Sequence, residues 1–187
     1  MVKRNGDLDT SIIYRALKTA NSSPDAWSKF VWSNKAPPPV KFFAWLLSQG
    51  RIQCKTNLRR KGIMENAICD VCQAAEEMPA HIIFGCPHAA QFWNALQIPT
   101  DQQWPIQALK EIQPPNHIPG KYFSIFLLLC CWHIWKRRNN VVFRNDRIAL
   151  SAALAACRSE AFLWAARLPR KDASIGSTLC SVIVNAM

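Results

Sequence analysis

Four side chains suited to binding a metal ion fall within eighteen residues of this chain, as Cys69-x2-Cys72-x8-His81-x4-Cys86. A Cys-x2-Cys pair presents two sulfurs from one tight turn, and a later His and Cys close the set from the next element. Thiolate and imidazole donors in fours suit tetrahedral Zn²⁺. Four protein ligands leave no open position, so such a site holds structure and does not activate water. The intervening residues are polar, with Asp70, Gln73, Glu76, Glu77 and Pro79 around the ligands. Little apolar material is present to hold this loop without an ion. His88 competes poorly as a ligand, because it lies two residues past Cys86 across Pro87.

The other thiols point the same way. Eight cysteines in 187 residues, without an apolar leader behind Met1-Val2-Lys3-Arg4, argue for thiols and metal in an intracellular setting and against a disulfide framework. Cys54, Cys130, Cys131, Cys157 and Cys180 show no ligand spacing and read as core or surface thiols.

A formal net charge of +11 is unevenly spread. Arg51, Lys55, Arg59, Arg60 and Lys61 form one run without an acid, directly before the metal loop. Lys136, Arg137, Arg138, Arg144 and Arg147 form a second, offset only by Asp146. Such runs favour phosphate polyanions, whose affinity comes largely from counterion release, although solvated helix faces produce the same pattern. The candidate nucleic-acid contacts are therefore Arg51, Lys55, Arg59, Arg60, Lys61, Lys136, Arg137 and Arg138.

Residues 1–23 read as a polar lead-in with a short helix from Leu8 to Thr19, and Ser23-Pro24-Asp25 as a helix start. Pro37-Pro38-Pro39 sets up a helix from Val40 to Ser48, with Gly50 as its stop. A short helix from Thr56 to Arg60, ended by Gly62, carries the first basic run. The metal loop follows, and a helix from Pro87 to about Gln97 holds Phe92 and Trp93. The tryptophans read as core anchors of a helical protein. Pro99, Pro105, Pro114, Pro115, Pro119 and Gly120 mark residues 98–120 as a linker with little regular structure.

Tyr122 to Phe143 opens with an apolar run that ends at Trp135. Those fourteen residues reach about 21 Å as a helix, short of a bilayer core about 30 Å thick, so a buried core helix is expected and no membrane association. His133 within it reads as a hydrogen-bonded core histidine. Leu150, Leu154, Cys157, Ala161, Trp164 and Leu168 give a last helix, Ile148 to Leu168, one apolar stripe. It packs on the preceding helix as a hairpin or offers a docking surface to a protein partner. The tail adds a short strand at Thr178–Val184. The expected fold is mainly α: a lead-in (1–23), a small helical domain around the Cys-Cys-His-Cys loop (24–97), the linker (98–120), a helical hairpin (121–168) and a tail (169–187).

Trp27, Trp32, Pro37–Pro39, Lys41-Phe42-Phe43-x-Trp45-Leu46, Gly50-Arg51, Thr56, Leu58-Arg59-Arg60, Gly62, Cys69-x2-Cys72, Glu77, His81, Cys86-Pro87 and Trp93 stand in an ordered series. In that series the chain resembles the zinc-binding domain of plant reverse transcriptases, which lies downstream of the polymerase in LINE-type non-LTR retrotransposons. The likeness covers about residues 10–97. Trp132-x-x-Trp135-Lys136-x-Arg138-Asn139-x-x-Val142-Phe143 is similar to the segment that follows this domain, before a ribonuclease H domain. The resemblance implies zinc on Cys69, Cys72, His81 and Cys86, help in gripping RNA or DNA, and, with the basic runs, nuclear residence. Glu77-Met78 departs from the family's Glu-Thr or Glu-Ser at that point.

The chain contains no Asp-Asp pair and no visible cluster of ribonuclease H carboxylates, so polymerase or nuclease chemistry is not expected of it. Two further readings remain: a zinc-stapled protein-interaction module or retroelement remnant, and a zinc hydrolase, which would need an open coordination position.

Overall fold

The computed structural model describes residues 26–146 and 149–187, and among them the regular structure is helical. The expected Leu8–Thr19 helix, the Ser23-Pro24-Asp25 start, Arg147 and Ile148 lie outside the described residues. Helix α1 spans Ala26–Trp32 and α2 Pro38–Ser48, entered through prolines whose fixed φ and missing N–H suit a first turn. α3 spans Lys55–Arg60. Gly50 and Gly62 end α2 and α3 in the same way, at φ +63° and +69°. Arg51 N–H bonds Leu46 O and Ile63 N–H bonds Leu58 O across the left-handed residue, satisfying carbonyls the helix leaves free.

A π-helical turn, His81–Gly85, leads into α4, Pro87–Ala95. Next come α5, Phe123–Arg144, α6, Leu150–Ala165, and α7, Ala173–Asn185. α5 is the central element. It packs against α2, the π-helical turn and α6, and α7 lies along α6. Phe43 of α2 meets two α5 rings, Trp132 at 5.3 Å and Trp135 at 5.9 Å between centroids. No helix among the described residues is long and apolar enough to cross a membrane.

Three expectations change. The 98–120 stretch contains a 3-10 helix, Ile106–Glu111, and its Ile98, Leu109, Ile112 and Ile118 are buried in the core shared with the rest of the chain. Prolines fix its path while apolar residues between them pack. The tail is helical and not a strand, because Leu179, Val182 and Ile183 fall at i, i+3 and i+4 and all are buried. In the Leu150–Leu168 stripe, Leu154, Cys157, Ala161 and Trp164 are buried within the molecule, so the stripe is core and is not offered to a partner.

Candidate metal centre

The metal loop is built by backbone bonds. Cys69 N–H bonds Ala75 O at 2.9 Å, Glu77 N–H bonds Ala67 O at 2.8 Å, and Ile68 pairs with Glu76 in an isolated antiparallel bridge. Between them Gln73, at φ +56°, reverses the chain, and its N–H bonds Cys69 O. Cys69 and Cys72 are thereby aimed inward from one turn. His81 opens the π-helical turn and Cys86 closes it as the residue before α4, accepting the Ala89 and Ala90 N–H bonds on its carbonyl. A π turn frees carbonyls that an α-helix would pair, and Trp93 Nε1–H satisfies Ile83 O at 2.7 Å.

The outcome is a closed set. One ligand atom each from Cys69, Cys72, His81 and Cys86 lies within 4.8 Å of all the others, with Cys72 Sγ 3.4 Å from His81 Nε2. Cys69, His81 and Cys86 are buried and Cys72 is half-buried. In a tetrahedron with Zn–S bonds of about 2.3 Å, sulfurs sit about 3.8 Å apart, so no sulfur pair needs to close by more than about 1 Å. Three thiols and an imidazole, with no fifth donor among the described residues, suit zinc. His88 is outside the set and uses its carbonyl to accept from Arg137 Nη1 at 3.2 Å.

Proton sharing marks the site. Cys69 is pushed up to about 12, first by its hydrogen bond to Cys86 and then by burial. Cys86 is held below its ordinary 9.0, chiefly by that same bond from Cys69. A cation taking three thiolates must displace the Cys69 proton.

The site is braced from behind by an acid of its own loop. Glu77 is fully buried. Arg138 of α5 grips its carboxylate with Nε, at 2.9 Å from Oε2, and with a second guanidinium N–H on Oε1. Lys55 N–H bonds Oε1 at 2.9 Å, and the Thr56 hydroxyl bonds Glu77 O at 3.0 Å. Arg138 also lies 5.0 Å over the Trp135 ring. One carboxylate thus joins the start of α3, the metal loop and α5.

The chain matches, over residues 9–93, the family described as zinc-binding in reverse transcriptase. The matched stretch is similar to that family over somewhat less than half of the chain. The matched stretch includes α1 to α3, all four candidate ligands and Glu77. A protein of Arabidopsis thaliana, provisionally named as a ribonuclease H protein, is 24% identical over 125 residues, covering 62% of this chain. The match spans only 20% of that relative's length. No solved structure matches.

Within and beyond the matched stretch, the eight candidate basic contacts separate. Arg51, Arg60 and Lys61 are exposed and make no ion pair among the described residues. Arg59 is exposed but pairs with Glu76 at 2.8 Å. Lys55 is buried and pairs with Asp70 at 2.5 Å, so it is a strut of the metal loop and not a phosphate contact. On α5, Lys136 is exposed and reaches Glu160 at 3.1 Å, while Arg137 is half-buried. Arg138 is consumed by Glu77 and unavailable to a polyanion. Three consecutive helical residues point about 100° apart, so they cannot all face solvent.

Proposed function

We propose that this chain is a zinc-stapled, non-catalytic module of a reverse-transcriptase-related protein that contacts RNA or DNA through the cationic ends of α2 and α3. The closed four-donor cluster carries the reading. Cys69, Cys72, His81 and Cys86 would hold Zn²⁺, which supplies cross-linking of a loop with few apolar residues and no reactive position. That loop in turn leans on α3 through Glu77 and Asp70, fixing the helix that bears Arg59, Arg60 and Lys61. A role beside a polymerase or ribonuclease H in a longer protein, and nuclear residence, belong to the same proposal.

The test pairs metal analysis of the purified chain with salt titrations of binding to single- and double-stranded RNA and DNA. One zinc per chain is expected. If Arg51, Arg59, Arg60 and Lys61 each neutralise a phosphate, log K falls against log salt with a slope of about −3 to −4. No zinc, or affinity indifferent to salt, would overturn the corresponding half of the proposal.

A further inference from the structure

From residue 26 to residue 64 the sequence holds eight lysines and arginines and not one acid. Among the described residues, counter-charge reaches this stretch only from the metal loop, where Asp70 takes Lys55 and Glu76 takes Arg59. Lys29, Lys35 and Lys41, like Arg51, Arg60 and Lys61, form no ion pair among the described residues. Large aromatics stand exposed in the same stretch. Trp32, at the end of α1, is 49% exposed and Phe42, on α2, is 54% exposed. Phe42 stacks on the half-buried Trp45, with centroids 5.9 Å apart and planes 29° off parallel. Their spacing of three puts both rings on one side of α2, away from the buried Val40, Phe43, Ala44 and Leu47. Lys41 ties the two helices by donating from Nζ to Trp32 O at 3.2 Å.

An apolar protein partner is a poor occupant of this surface. It would bury lysines that no acid among the described residues compensates, and interface centres are depleted in lysine. A nucleic-acid duplex is a poor occupant of the rings, since its bases are already stacked on one another. Unpaired bases offer a π-face to each aromatic and a phosphate to each nearby cation, and this combination is how unstructured strands are held.

We propose that the outer face of α1 and α2 is a stacking platform for single-stranded nucleic acid, with bases on Trp32 and on the Phe42–Trp45 pair and phosphates at Lys35 and Lys41. The inference rests on the nucleic-acid reading above and deepens it by naming strand type and base-contacting residues. α2 is about 16 Å long at 1.5 Å per residue, so a few nucleotides span it.

The experiment uses the zinc-loaded full chain and three probes of equal length: oligothymidylate, its duplex with oligoadenylate, and an abasic phosphodiester strand. Trp32→Leu and Phe42→Leu keep an apolar group at exposed positions, and Arg60→Ala/Lys61→Ala removes charge. Each ring lost should weaken oligothymidylate binding about 5- to 150-fold and leave the abasic strand unaffected. Tryptophan fluorescence of the wild type should be quenched by oligothymidylate and not by the abasic strand, with part of that signal missing in Trp32→Leu. The wild-type contrast between the two strands does not depend on how well a variant folds. Equal affinity for the oligothymidylate and abasic strands, with loss only in Arg60→Ala/Lys61→Ala, would overturn the platform and leave the cationic reading standing. No binding to any probe would overturn both.

Discussion

Replacing Arg138 by methionine removes a guanidinium from a place where nothing can substitute for it. Methionine retains an apolar stem of similar length, so the loss falls on the guanidinium: its charge, its hydrogen bonds and its place over the Trp135 ring. Glu77 then keeps only the Lys55 N–H bond on a carboxylate with no solvent exposure. Breaking a buried ion pair by removing one partner costs about 3–5 kcal/mol, because the other charge is left buried and uncompensated. With a urea m-value of about 2 kcal/mol/M, the unfolding midpoint of the zinc-loaded chain should fall by about 1.5–2.5 M. Glu77→Gln keeps shape and the Lys55 bond but strands the Arg138 cation, and should cost a comparable amount. In the double variant neither group demands the other, so its loss should fall short of the sum by about 2 kcal/mol. Single losses below about 0.5 kcal/mol, or strict additivity, would refute the claim that this pair fastens the metal loop to α5.

Chelating the metal, or Cys72→Ser, should release zinc and raise amide exchange across residues 62–97. Unchanged metal stoichiometry and melting in the variant would remove the zinc assignment. Trp93→Phe should leave Ile83 O without its donor, at a cost of about 1–3 kcal/mol plus the lost volume, and should speed chelator-driven zinc release because the π-helical turn carries His81. His133 gives a pH dependence. Burial lowers it from 6.5 to about 4, with Glu160, 2.8 Å away, partly opposing. Between those values the unfolded chain binds a proton that the folded one refuses. Stability from this group is therefore intact above pH 6.5 and falls as the pH drops toward 4, by about 3 kcal/mol at most. Denaturant midpoints at pH 7 and 4.5 should differ less in His133→Gln than in the wild type. An equal difference would count against a neutral buried His133.

The cluster of candidate metal ligands was legible because its geometry is local: four residues within eighteen, spaced by one turn and one short helical element. Glu77 and Arg138 are 61 residues apart, and no periodicity announces such a partner. Their only sequence trace was the presence of both in segments resembling one family. The tail misled for a local reason. Val182-Ile183-Val184 is a β-branched run that favours a strand, yet α6 offers it an apolar face that only a helix can match at Leu179, Val182 and Ile183. Trp32 misled through its neighbours. Trp27 and Val31, four apart, are the buried pair of α1, and Trp32 is rotated about 100° from Val31 toward solvent.

The same geometry reassigns the protein's charge. Counting basic residues along the chain ranks the 136–138 run equal to the one before the metal loop. On α5, however, Glu160 answers Lys136 and Glu77 answers Arg138, so acids brought from distant segments neutralise most of that run. Residues 26–64 hold no acid of their own, and the metal loop supplies them with only two. Because those two acids sit on the loop that the cysteines fold, their position, and with it the identity of the cations left unpaired, depends on the metal site being closed. On the proposed reading, zinc would thus act on polyanion affinity at a distance from its own ligands, by deciding which lysines and arginines of α3 face a phosphate and which face the protein.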